Sequence, residues 1–246
     1  PSSSLGELPR TPDATIEQLL EQATSAKTPE KAALLRLSAA DMAFHQNNPG
    51  RSAQILAQVP LDSLKPAAQV FASTLTAELA MTRNQPKAAL TALGHPSLQN
   101  LKELPPEQQI RTGTVHARAY EADGQTLAAA RERVAMAPLL TGDAAASNHD
   151  AIWSLIAAVP GEQLQASGNP TLDGWITLAQ AVKNAGTLEQ QQAAIDTWRV
   201  QNPGHPAAVQ LPTPLTKLKE LASQPLNKIA LLLPQQGPLA SVAKAL

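Results

Sequence analysis

Proline divides this chain into pieces of helix length. The sequence has 21 prolines in 246 residues, where average usage of roughly 5% would give about 12. Proline at the first helical position has no hydrogen bond to lose, but in a helix interior it removes one and clashes with the preceding turn. Many of these prolines stand where helices should begin or end. Thr28-Pro29 reads as an N-cap and first helical residue. Asn47-Asn48-Pro49-Gly50 and Arg83-Asn84-Gln85-Pro86 read as turns, and Pro105-Pro106-Glu107 as a helix opening. Between these marks apolar residues recur every three or four positions: Leu34, Leu37, Ala40 and Phe44, then Leu64, Ala68, Phe71, Leu75 and Leu79. That period lays each set along one helix face.

Composition then narrows the fold class to all-α. Aromatic residues are only 2% of the chain, so the core must be assembled mainly from Ala and Leu. Both are strong helix formers, and small Ala faces let helices approach closely. Val, Ile, Phe and Tyr are too scarce for a β fold. Charge is nearly balanced, 19 basic against 20 acidic residues, and no window gathers the Lys and Arg that phosphate neutralisation needs. The tightest basic group, Arg111 to Arg118 with His116, reads as a solvated helix face. The absence of cysteine excludes disulfides, a thiol nucleophile and Cys-ligated metal, and fits a periplasmic address. No apolar run approaches the roughly 20 residues of a membrane helix. No signal peptide is read in the sequence, and Pro1-Ser2-Ser3-Ser4 looks like a tether or a trimmed mature end.

The helices are expected to pair. After a tether over 1–14, the capping-box pattern Thr15-Ile16-Glu17-Gln18 opens a short helix ending near Ser25. Long helices from Thr28, from about Leu64 and from Pro105 each lead through a turn to a short partner, at Ser52–Val59, Lys87–Leu93 and up to Ala137-Pro138. Aligning the turns puts Ala53, Ala89 and Ala128 five residues after Asn48, Asn84 and Asp123. Successive units are offset by 36 and 39 residues, near the 34 of tetratricopeptide repeats. Residues 15–142 are therefore expected to form tetratricopeptide-like helix-turn-helix repeats, with the small residue where paired helices cross.

A second helical subdomain is expected over 143–222. Helices at about 144–159, 172–184 and 187–201 carry Trp153, Trp175 and Trp198 respectively. These could form a binding platform or a buried joint, and the buried joint is the expectation because each indole would bury a large apolar area and use its N–H on a nearby carbonyl. Thr187-x-x-Gln190 is a second capping box, and Gly186 is placed to stop the helix before it. Pro203-Gly204-His205-Pro206, Pro212 and Pro214 read as a break in helix. Residues 223–246 are expected to be a linker and the truncated start of an α/β domain: the apolar run Lys228-Ile229-Ala230-Leu231-Leu232-Leu233-Pro234 as a strand, then a Gly237 loop and the beginning of a helix.

Local chemistry is sparse. There is no phosphate-binding glycine loop, nucleophile elbow or zinc-protease helix motif. His45, His95, His116, His149 and His205 lie far apart, with none at i, i+3 or i+4 from another. His149-Asp150 is read as flanking the start of the Trp153 helix, where Asp favours the dipole. The pairs Glu17/Glu21 and Glu103/Glu107 read as exposed carboxylates. No catalytic residue, cofactor or metal ligand is assigned, and the chain is expected not to be an enzyme.

A family resemblance supplies a function. Trp153 with Leu155, the block Leu172-x-Gly174-Trp175-x-x-Leu178, Trp198 with Asn202-Pro203-Gly204-His205-Pro206-Ala207, and the ending Lys228–Pro234 together resemble the N-terminal domain of the LpoA family. The resemblance is strongest from about Asn148 to Leu233. It implies a periplasmic protein anchored in the outer membrane by a lipid, whose partner is a class A penicillin-binding protein in peptidoglycan synthesis. It also implies a periplasmic-binding-protein-like domain after the helical one. On this reading the chain is a non-catalytic scaffold and interaction domain that takes a protein, or peptidoglycan, on a repeat face. The alternative is a glycan-binding or glycan-cleaving periplasmic helical domain. The sequence singles out no partner-contact residue.

Overall fold

The computed structural model describes residues 14–223. All regular structure among them is helical, as the composition requires. The expected tether over 1–14 (Ala14 excepted) and the expected strand and helix after Lys228 lie outside the described residues. The chain divides into two compact units between Gln125 and Thr126.

In the first unit, α1 (Ile16–Thr24) opens on the predicted capping box: Thr15 Oγ1 accepts from the Gln18 amide at 3.2 Å, and the Gln18 side chain accepts from the Thr15 amide at 2.9 Å. Helix α2 (Pro29–His45) is capped by Thr28, α3 (Pro49–Leu56) by Asn48, and α4 (Pro66–Thr82), α5 (Pro86–Leu93) and α6 (Pro106–Ala122) all begin on proline. A 3-10 stretch, Pro96–Glu103, joins α5 to α6. Helix α2 packs on α1, α3 and α4, and α4 on α5 and α6. The expected single stripe on α2 is too narrow for this crowding. Ala33, Leu35, Leu37, Ala39, Ala40 and Ala43 are all buried, while Leu34 and Phe44 are only partly so.

The turns that close α2, α4 and α6 repeat one geometry. Asn47, Asn84 and Gly124 adopt positive φ, at 61°, 54° and 80°. The next amide in each turn donates to a carbonyl five residues back: Asn48 to Ala43 at 2.9 Å, Gln85 to Ala80 at 3.0 Å, Gln125 to Tyr120 at 2.8 Å. This is a helix closed by a left-handed residue, the use for which Gly and Asn are suited. Five residues after each left-handed residue lies a fully buried small side chain: Ser52, Ala89 and Ala129. The expected alignment is thus correct at Ala89 and one residue late or early elsewhere; Ala53 and Ala128 are only partly buried. At the α2/α3 crossing Ser52 Oγ donates to the Ala40 carbonyl at 2.7 Å.

The second unit begins with α7 (Thr126–Met136), which packs on α8 (Gly142–Ala158) and α9 (Pro170–Asn184). The division therefore falls before α7, not after it as expected. Asn148 on α8 fastens the two helices by donating from Nδ2 to the Arg133 carbonyl at 2.9 Å. Helix α10 (Leu188–Gln201) packs on α9, and α12 (Thr213–Ala222) on α10, with the single turn α11 (Pro206–Val209) between them. The break expected at Pro212 and Pro214 is instead the opening of α12, since both prolines sit where first-turn amides need no partner. Gly186 does not stop α9. It has no positive φ, and its amide donates to Gln190 Oε1 at 2.9 Å, reinforcing the α10 capping box.

Candidate functional site

Three long helices of the first unit, α2, α4 and α6, meet at a half-buried guanidinium. Arg111 on α6 donates from Nη2 to Asp41 Oδ1 on α2 at 2.6 Å, and the same nitrogen lies 2.8 Å from Glu78 Oε1 on α4 as an ion pair. Its Nε donates to both Glu78 oxygens, at 3.0 and 3.2 Å. The guanidinium carbon lies 4.9 Å from the centre of the Phe71 ring, within cation–π range. Burial opposes the charge on Arg111, yet its hydrogen bonds to Glu78 and Asp41 outweigh it and raise its pKa above the ordinary value. About a fifth of each of the three side chains is exposed. The solvated-face expectation therefore fails for Arg111. Its partners lie 70 and 33 residues away in sequence, a separation that no local pattern reveals.

Beside this bridge, α4 and α6 are joined by a buried polar chain. Thr74 Oγ1 donates to the Val70 carbonyl at 2.8 Å, so at its 2.8 Å contact with Thr112 it acts as the acceptor. Gln108 Nε2 donates to Thr112 Oγ1 at 2.9 Å. Both threonines are fully buried, and a satisfied buried chain fixes how the helices meet.

The bridge forms one wall of a cleft of about 280 Å³ lined by Phe44, Glu78, Met81, Arg111, Val115 and Arg118, with Thr82 and Thr114 at its sides. Apolar surface comes from all three helices and cationic surface from α6. Arg118 is exposed, and no carboxylate among the described residues pairs with it. No cluster of metal-ligating side chains occurs among the described residues, and none of their helices is long and apolar enough to cross a membrane.

The tryptophans are all in the second unit, where Trp175 and Trp198 form a joint around His205. Trp175 and Trp198 are almost fully buried and Trp153 nearly so. His205 stands edge-on to Trp175 and Trp198, with ring centres 5.6 and 5.1 Å away, and His149 is also edge-on to Trp175 at 5.5 Å. His205 Nε2 donates to the Thr171 carbonyl at 2.8 Å, and Nδ1 accepts the Ala207 amide at 3.0 Å, which fixes a neutral tautomer. Burial, and secondarily the neighbouring His149, lower the His205 pKa against the pull of the Thr171 carbonyl. Trp198 Nε1 donates to Thr177 Oγ1 at 3.0 Å, a hydroxyl rather than the expected carbonyl. His149-Asp150 lies mid-way along α8, not at its start. His149 Nδ1 donates to the Gln210 carbonyl at 3.3 Å, and Asp150 Oδ1 accepts the Thr213 amide at 2.8 Å, opening α12.

The family model described as "LppC putative lipoprotein" matches residues 9–246. The chain belongs to this LppC family. Relatives named penicillin-binding protein activator LpoA include that of Dickeya chrysanthemi, 33% identical over 186 residues, covering 70% of this chain and 27% of the relative. That of Mannheimia succiniciproducens is 29% identical over 230 residues, covering 92% and 39%. The chain thus spans well under half the length of these LppC relatives. Among solved structures, the N-terminal domain of LpoA from Haemophilus influenzae matches with a TM-score of 0.60 at 25% identity, over 86% of this chain and 97% of that one. The amino-terminal domain of Escherichia coli LpoA matches with a TM-score of 0.62 at 22% identity, over 84% and 92%. The all-α fold is that of these LppC-family domains.

Proposed function

We propose that this chain is the helical, partner-binding part of a lipoprotein that activates a class A penicillin-binding protein during peptidoglycan synthesis. On this reading it acts in the periplasm, within a protein held at the outer membrane by its lipid, and has no catalysis of its own. The tetratricopeptide-like pairs of the first unit supply the binding face, and peptidoglycan is a second candidate ligand for it. Family membership carries the proposal, since the relatives named above are activators of a penicillin-binding protein.

The cleft chemistry supports a binding role over glycan cleavage. Glycoside cleavage commonly needs one carboxyl group that donates a proton and a second that acts as base or nucleophile. Here both oxygens of Glu78 accept from Arg111, and Asp41 is held by the same guanidinium. A carboxylate fixed that way is arranged as an acceptor, not as a proton donor.

The deciding experiment adds this chain, and separately the longer protein containing it, to a purified class A penicillin-binding protein and follows glycan polymerisation and cross-linking. Stimulation by the longer protein, with binding by this chain, is expected. If neither binds nor stimulates the synthase, the proposal fails. Release of soluble fragments from peptidoglycan by this chain alone would favour a glycan-cleaving domain instead.

A further inference from the structure

We propose that the α2/α4/α6 cleft of the first unit binds an acidic peptide segment, seating a carboxylate on Arg118 and an apolar side chain against Phe44, Met81 and Val115. The inference rests on the reading that this chain works by holding a partner, and it names the chemistry of the segment held.

Charge decides the sign of the ligand. Two guanidiniums line the cleft against one carboxylate, Glu78, and that carboxylate is already engaged by Arg111. Asp41 is engaged too and does not line the cleft. The bonds to Asp41 and Glu78 use Nε and Nη2 of Arg111, leaving Nη1 out of the bridge. Arg118 is seven residues further along α6, hence on the same face two turns away, about 10 Å along the axis. It is exposed and carries no carboxylate partner among the described residues. A guanidinium presents a planar fork of donors that fits a carboxylate in two-point contact. A lysine-bearing segment would meet only cations and engaged acceptors.

Shape and surroundings decide that the ligand is a peptide with an apolar residue beside its acid. Phe44, Met81 and Val115 reach the cleft from three different helices, and Phe44 and Met81 keep part of their surface exposed. Methionine adapts to varied apolar shapes. Thr82 and Thr114 donate their hydroxyl protons to their own helices, to Leu79 and Ile110, so the cationic donors remain on α6. The Arg111 bridge stabilises the frame before any ligand arrives, which limits the ordering cost of binding.

The test uses the whole 246-residue chain and fluorescently labelled octapeptides in a Gly/Ser frame, carrying Asp-Leu, Asn-Leu or Lys-Leu, read by polarisation at low salt. The Asp-Leu peptide is expected to bind most tightly and to weaken as salt rises. Arg118→Gln should weaken it by about fivefold without moving the thermal midpoint. Arg118→Glu should shift preference to the Lys-Leu peptide, and the exposed control Lys102→Gln should change nothing. Equal binding of all three peptides, no binding up to about 1 mM, or indifference to Arg118→Glu would each overturn the assignment. Peptide binding without any effect on a penicillin-binding protein would leave the cleft standing and sink the functional reading. The converse would sink only the cleft.

Discussion

His205 occupies space that exists only because residue 174 is glycine. A Cβ on Gly174 would stand 2.7 Å from His205 Nε2 and closer still to Cδ2. The ring cannot give way freely, being held by the Thr171 carbonyl, the Ala207 amide and two indoles. Gly174→Ala is therefore expected to cost about 1–3 kcal/mol, read as a lower urea midpoint with unchanged slope. Titration of His205 gives a second expectation. Its folded-state pKa lies below the ordinary imidazole value of about 6.5, so the unfolded chain takes the proton more readily than the folded one. Stability from this residue is complete above about pH 6.5 and is lost as pH falls toward the lower folded value. The thermal midpoint should drop between about pH 7.5 and 5.5, and His205→Asn, which keeps an acceptor for the Ala207 amide, should flatten that dependence. At the same scale, Arg111→Leu should cost about 2–3 kcal/mol, because it strands Asp41 and Glu78 side by side with no cation between them. Burial of the tryptophans was legible, since a large apolar side chain in an amphipathic helix has few other places to go. The roles of His205 and Arg111 were not, because each depends on partners more than thirty residues away.

Helix boundaries were legible to within a few residues where proline and capping side chains mark them, as at Thr15, Thr28 and Thr187. They failed where proline was taken only as a breaker: Pro212 and Pro214 open α12 rather than extending a loop. The stretch Pro96–Glu103, which carries no helical period, closes as a 3-10 segment. The turn alignment came close because the left-handed residue was Asn or Gly each time, yet sequence alone could not tell which residue of Asn47-Asn48 or Asp123-Gly124 takes positive φ. Two substitutions examine this level. Ala89 is fully buried in a cluster with Ala77, Ala80, Leu93, Val115 and Ala119, so Ala89→Leu should overpack the α4/α5 crossing and cost about 1–3 kcal/mol. Gly124→Ala meets no steric neighbour but keeps φ at 80°, so about 1 kcal/mol is expected from backbone strain alone. An unchanged denaturation midpoint for either would contradict the corresponding geometry.

On the scale of the whole chain the two units differ in what holds them. The first relies on Ala and Leu packing, with the Arg111 bridge across three helices and a buried threonine pair. The second gathers every tryptophan of the sequence. The sequence pattern conveyed that the chain changes character in its second half, through the appearance of Trp153, Trp175 and Trp198. It placed the change after α7, because Thr126–Met136 has the same Ala-rich make-up as the short helices before it. What assigns α7 to the later unit is the Asn148 amide on the Arg133 carbonyl and the packing on α8 and α9, neither of which composition records.

The turns at Asn47, Asn84 and Gly124 leave no slack. The residue after each closes one helix with its amide and stands directly before the next helix. One added residue would rotate everything downstream by about 100° about the helix axis, swinging Ser52 or Ala89 off its crossing and, at the first, bringing Arg51 onto it. Such a chain tolerates changes of length best between its pairs, at the exposed positions of stretches such as 57–65 and 94–105, where only short 3-10 turns intervene. Insertions and deletions that arise within a pair are expected to be lost, while those between pairs persist.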